Sequence, residues 1–254
     1  MSSKLLVGVI HLPPLPGSPR AVPLDATLIQ VAADARALVS AGFDLVIVEN
    51  YGDVPFFPER VPPVTVAAMT ACVLAARQAG AKVGVNVLRN DAESALAIAA
   101  CTSAACIRVN VHVGARVTDQ GLVQGRAADT LRSRQAVGAR SVAIWADVDV
   151  KHSAPLGERP LEDEVADAVE RGLADAILVT GRGTGHAVEL AALRSAKRVA
   201  RVPVLAASGV TIDSVRPILA ECDGVIVGSA LREGGKAGWP VDAERAAAFV
   251  RAAR

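Results

Sequence analysis

Apolar residues along the chain fall into short, largely β-branched runs separated by longer stretches whose apolar positions recur every three or four residues. Four of these runs follow a glycine that closes a helix-like stretch. Ala41-Gly42 leads to residues 45–48, Ala79-Gly80 to 83–87, Val137-Gly138 to 142–145, and Arg171-Gly172 to 176–179. Glycine there suits the left-handed position just past a helix, and the runs are too short for anything but buried strands. Runs at 5–10, 105–111, 202–206 and 224–227 bring the predicted strands to eight. Between them, Leu161, Val165, Ala168 and Val169, and again Ile212, Val215, Leu219 and Cys222, repeat at helical spacing.

Eight strand–helix units in 254 residues average roughly 32 each, the size of a βα repeat. The pattern therefore predicts an α/β fold in which residues 1–254 form a single (β/α)8 TIM barrel. An open doubly wound sheet is the competing architecture. Its dinucleotide fingerprint should follow the first strand, but that strand runs into His11-Leu12-Pro13-Pro14, and the glycines clustered at 181–185 lack the fingerprint spacing.

Composition removes several functions. Twenty-seven basic and 26 acidic side chains give a net charge of +1, without the footprint of a nucleic-acid or acidic-membrane binder. Aromatic residues are 3% of the chain, too few for base-stacking platforms. The longest uncharged run, 61–76, contains Pro62 and Pro63 and falls short of a membrane span. The apolar run after Lys4 is too short for a signal peptide, so a cytoplasmic protein is expected. Cys72, Cys101, Cys106 and Cys222 lie in apolar segments without metal-ligand spacing and are expected to be buried free thiols.

In such a barrel, chemistry sits at the C-terminal ends of the strands. These ends carry all four histidines of the chain, whereas the opposite turns, such as 41–43 and 79–81, are nearly free of polar groups. His11, Glu49 and Asp147 are the catalytic candidates, with Asn50, Asp53, Asn86, Asn110, Lys151, His152, Thr180 and Thr184 as substrate-binding candidates. An imidazole opposite a carboxylate makes a general acid–base pair. Asp147 faces the mouth if the alternation through Val142 and Ile144 carries one slip, and Glu49 and Asp147 in one enclosed site should repel each other. Their structural alternatives are a turn cap for Asp147 and a backbone contact for His11.

The turns Ser208-Gly209-Val210 and Gly228-Ser229-Ala230 follow the last two strands, the habitual phosphate site of this fold. Ser208, Gly209, Gly228 and Ser229, with Gly185, are the phosphate-binding candidates. Glycines 181, 183 and 185 suit either a mobile flap or a tight connection. Zinc hydrolases on barrels open with H-x-H after the first strand, and here Pro13 takes the second position; a site from His11, Glu49 and Asp147 stays geometrically conceivable. No metal or cofactor is called for.

The segments 8–19 (GVIHLPPLPGSP) and 48–56 (VENYGDVPF) resemble the opening of the BtpA/SgcQ family. Arg108-Val109-Asn110, Ala146-Asp147-Val148 with Lys151-His152-Ser153, Val179-Thr180-Gly181 with Thr184-Gly185, and Ser208-Gly209-Val210 extend the likeness over nearly the whole chain. The resemblance implies a ribulose-phosphate-binding type of barrel, akin to phosphoribosylanthranilate isomerase, in which His11 and Asp147 hold the acid and base places on strands one and five. It also implies, for photosynthetic members, a role in photosystem I biogenesis, and with it peripheral membrane association. The expected partner is a small phosphorylated metabolite, a sugar or a nucleotide-like molecule, handled by an isomerase, lyase or glycosyl-transfer enzyme. A non-catalytic assembly factor is the alternative, and a homo-oligomer is expected.

Overall fold

The computed structural model describes residues 4–181 and 189–254. Eight parallel strands close into a barrel: β1 (Leu5–His11), β2 (Leu45–Glu49), β3 (Val83–Asn86), β4 (Cys106–Val109), β7 (Ala143–Val148), β9 (Ala176–Val179), β10 (Val204–Ala206) and β11 (Gly224–Val227). The first four, β7 and the last three follow one another around the barrel in chain order, and β11 pairs with β1 to close it. Helices α1 (Leu24–Ala41), α2 (Pro63–Gln78), α3 (Ala92–Thr102), α4 (Ala127–Ala136), α5 (Leu161–Ala166), α6 (Leu190–Val199), α7 (Val215–Glu221) and α8 (Ala243–Ala253) alternate with the strands. Alternate strand residues face the helices, as Val46, Val48, Ile107, Ile144 and Ala146 do. The others form a separate apolar cluster inside the barrel, including Val7, Val9, Leu45, Ile47, Cys106, Trp145 and Leu178.

Local chemistry explains the helix ends. Gly42, Gly80 and Gly138 take the expected left-handed backbone, with φ of 97°, 98° and 71°. Gly172 does not: its φ is −85°, and Leu173 turns left-handed instead at φ 51°. A Cβ on Gly172 would meet the Ala168 carbonyl oxygen at 2.7 Å, so close packing, not handedness, demands the glycine. Asp91 caps α3 by accepting from Ser94 N–H at 2.9 Å, and Asp242 caps α8.

Three differences from the sequence reading bear on the site. A three-stranded antiparallel sheet, β5 (Ala115–Thr118), β6 (Gly121–Gln124) and β8 (Ser153–Pro155), is inserted beside the mouth. Its short strands are largely exposed, so no apolar run announced them. Strand β7 carries no slip: Trp145 points into the barrel, Ile144 points out, and the regular alternation sets Asp147 inward. The helix whose apolar repeat is read from Ile212 begins at Val215, and the turn before it is tied by Thr211 N–H donating to Ser214 Oγ at 2.9 Å. Among the thiols, Cys72, Cys106 and Cys222 are buried as expected, but Cys101 is exposed on α3.

Candidate functional site

Strand register builds the centre of the mouth. His11 on β1 pairs with Glu49 on β2, Glu49 with Asn86 on β3, and Asn86 with Arg108 on β4. Four inward polar side chains thus stand in one row across four adjacent strands, and Asp147 joins them from β7. All five are buried. Burial of so many polar groups is tolerable only if they satisfy one another, and they do. Asn86 Nδ2 donates to Glu49 Oε2 at 2.6 Å. Arg108 donates to Asp147 through Nε and Nη2, both at 3.0 Å, in a bidentate pair, and Asn110 Nδ2 donates to the same carboxylate.

Arg108 was visible in the sequence only within a motif and was not among the candidates, yet it organises the site. Burial opposes its charge, but Asp147 and Glu49 outweigh that and hold its pKa above the usual arginine value. Its Nη1 lies 4.0 Å from Glu49 Oε2. The repulsion expected between Glu49 and Asp147 is therefore relieved by a cation between them. The same guanidinium stands where a metal bridging those carboxylates would have to sit, and among the described residues no group of three His, Cys, Asp or Glu is placed to hold an ion.

His11 is held differently. Its ring stacks on Tyr51 at 4.4 Å between centroids, and Nδ1 accepts the Gly238 N–H at 3.1 Å. Burial, with the charges of Arg232, Lys151 and Arg108, pushes its pKa well below 6.5, so the imidazole is neutral at pH 7. With Nδ1 accepting, the proton resides on Nε2, 4.0 Å from Glu49 Oε1. The turn after β11 makes room for this ring: a Cβ on Gly228 would stand 3.0 Å from both Cε1 and Nε2.

A cavity of about 380 Å³ opens above this row. His11, Glu49, Arg108 and Lys151 line it on one side, and Ser208, Gly209, Gly228 and Ser229 on the other. Gly209 is left-handed at φ 64°. Among the described residues, the N–H groups of Gly209, Val210, Ser229 and Ala230 find no acceptor in the protein. A second compartment of about 350 Å³ adjoins it, sharing Glu49, Tyr51, Arg108 and Lys151 and adding Asn86, Arg89, Asn110 and His152. The Lys151 side chain makes no hydrogen bond or ion pair among the described residues, and burial lowers its pKa, helped by Arg108 and Arg89 and opposed by Glu49 and Asp147.

Other candidates serve the walls. Asn50 accepts from Leu88 N–H at 2.7 Å and donates to Asp53, whose carboxylate accepts from Leu15 N–H at 2.7 Å; these two knit the loops after β1, β2 and β3 and line neither compartment. Thr180 Oγ1 donates to the Asp149 carbonyl at 2.9 Å and accepts from Lys151 N–H at 3.1 Å, fixing the loop that carries Lys151. His112 leaves the mouth, with Nε2 2.8 Å from the Gly172 carbonyl oxygen. Thr184 and Gly185, with the flap expected at 181–185 and with Arg182 and His186, lie outside the described residues apart from Gly181. A second unforeseen arginine, Arg232, is fully buried and donates to the carbonyls of Val9 at 2.7 Å, Trp239 at 2.6 Å and Gly228. It clamps the loop after β11 to β1, and burial pushes its pKa down to about 10.

An eight-stranded parallel barrel with a polar row facing two glycine turns defines the class: a (β/α)8 barrel with its polar groups gathered at the mouth. The BtpA family model matches residues 2–254, and the chain belongs to that family. An uncharacterised protein of Archaeoglobus fulgidus is 45% identical over 99% of both chains. The photosystem I biogenesis protein BtpA of Synechocystis is 44% identical over 97% of this chain and 87% of its own. Among solved structures, (S)-3-O-geranylgeranylglyceryl phosphate synthase from Thermoplasma acidophilum, in complex with its substrate sn-glycerol-1-phosphate, superposes with a TM-score of 0.62 at 14% identity, covering 99% of this chain and 93% of that one. No helix among the described residues is long and apolar enough to cross a membrane.

Proposed function

We propose that the mouth binds a phosphorylated sugar or nucleotide-like metabolite and moves a proton on it, as an isomerase, lyase or glycosyl-transfer enzyme of the cytoplasm. The observation that carries this reading is the convergence of His11, Glu49 and Arg108, three members of that polar row, and two glycine turns on one cavity. Uncommitted N–H groups on the turns suit a phosphate. Glu49 is the base: Asn86 fixes Oε2, and Oε1 is left toward the cavity. Neutral His11 donates from Nε2 to an oxygen of the substrate, and Arg108 stabilises the negative charge that grows there. Asp147, with both oxygens held by Arg108 and Asn110, positions that guanidinium and takes no proton itself.

The test is thermal shift with a panel of sugar phosphates, followed by turnover of whichever ligand stabilises the protein. Glu49→Gln should keep binding and lose turnover. If only non-phosphorylated compounds stabilise the chain, the phosphate reading fails. The second reading, a non-catalytic assembly factor for a membrane complex such as photosystem I, is favoured by the name of the Synechocystis relative. It predicts that Glu49→Gln leaves every function intact.

A further inference from the structure

The second compartment holds cations that the phosphate site does not use. Arg89 follows β3, is 4% exposed, and lines only this compartment, whereas Gly209 and Ser229 line only the first. One phosphate seated at the glycine turns cannot therefore also satisfy Arg89. Among the described residues, one of its five N–H donors is committed, from Nη2 to the Lys151 carbonyl at 2.7 Å, and its Nε is buried with no acceptor. A buried guanidinium left so is costly unless something else completes it. Lys151 shares the compartment, and among the described residues its ammonium has no partner. The carboxylates near them are Asp147, already matched by Arg108, Glu49, held by Asn86, and Asp119, exposed on the β5–β6 turn, and among the described residues none of the three forms an ion pair with Arg89 or Lys151. Arg108 is already matched by Asp147. Beside these donors, Asn110 Oδ1 is buried with no donor, because its amide nitrogen is turned to Asp147.

We infer that this compartment is a second anion subsite, so that the ligand carries a phosphate at one end and a second oxyanion, a carboxylate or another phosphate, at the other. The inference rests on the phosphate reading above and extends it. Arg89 Nε and the Lys151 ammonium take the second oxyanion as charge-assisted donors, and Asn110 Oδ1 accepts from a hydroxyl beside it. The carbons between the two anions then lie over Glu49, Tyr51, Arg108 and Lys151, the side chains common to both compartments. Recognition at both ends also fixes the reacting carbon against the base, which is where binding energy aids the chemistry.

Calorimetric titration of the whole chain with three probes tests this: ribose 5-phosphate, 5-phosphoribonate and ribulose 1,5-bisphosphate. The two doubly anionic probes should bind at least tenfold more tightly than ribose 5-phosphate. Arg89→Gln, which keeps a donor for the Lys151 carbonyl, should erase that advantage while leaving ribose 5-phosphate affinity within twofold. Equal affinity for all three probes in the wild type overturns the second subsite and leaves the phosphate reading standing, as does an advantage that survives in Arg89→Gln. Binding by none of the three overturns both. The wild-type comparison decides the matter by itself if the variant does not fold.

Discussion

Replacing Arg108 by Met removes the cation at the centre of the mouth while keeping a long side chain inside the barrel. At an effective dielectric of about 20, its 3.0 Å pair with Asp147 and its 4.0 Å approach to Glu49 attract by roughly 5.5 and 4 kcal/mol. Much of that attraction is offset in the native protein by the cost of dehydrating the charges. The variant keeps the cost and loses the attraction, so Asp147, wholly buried at its side chain, is left with Asn110 alone. Breaking a buried pair from one side costs about 3–5 kcal/mol. For a chain of this length that is a fall in Tm of roughly 6–20 °C. Adding Asp147→Asn removes the stranded charge and keeps an acceptor for Asn110, so R108M/D147N should regain at least about 2 kcal/mol over R108M. Urea unfolding followed by circular dichroism gives both differences. If R108M unfolds within about 1 kcal/mol of wild type, or if the double variant is no more stable than the single, Arg108 does not organise the site as described.

His11 and His112 both have pKa values lowered by burial, so below pH 6.5 the unfolded chain takes up protons that the folded chain refuses. Stability should therefore be fully present above pH 6.5 and fall on acidification, by up to about 1.4 kcal/mol per pH unit for each group; His11→Asn, which can still accept from Gly238, should shrink that slope, and an unchanged slope between pH 5 and 7 would place the His11 charge elsewhere. Gly228→Ala should displace the His11 ring, since the new Cβ would stand 3.0 Å from it, and should weaken ligand stabilisation more than it lowers Tm; normal ligand response would show that the close approach is dispensable. A thiol reagent should titrate Cys101 alone in the native protein and all four cysteines in urea, because burial holds the Cys72 and Cys106 thiols at about 12 and Cys222 is also buried; reaction of a second thiol at native pH would contradict the packing.

Strand ends were legible because a buried parallel barrel forces polar residues to one rim, and the β-branched runs stop abruptly at His11, Glu49 and Asn86. Arg108 was hidden by the same logic. It lies between Ile107 and Val109 in a run that reads as apolar, and only the alternation Cys106, Arg108, Asn110 signals an inward cation. An alternation read through Val142 and Ile144 needs a slip to bring Asp147 inward, whereas Trp145 is the inward residue beneath it and no slip occurs. Asn50 and Asp53 read as site residues by position, but their bonds to Leu88 and Leu15 show that a rim must also hold its own loops together. Arg232 sits in a glycine-rich segment with no apolar periodicity, and nothing local marks a side chain that is buried by contacts with Val9, more than two hundred residues away.

The most direct test of the central claim is to release and identify, by native mass spectrometry, the small molecule carried by gently purified protein. A phosphorylated metabolite, lost from a Gly209→Val variant that blocks the turn after β10, is the predicted result. A bound molecule without phosphate, or a phosphorylated one retained equally by that variant, would contradict it.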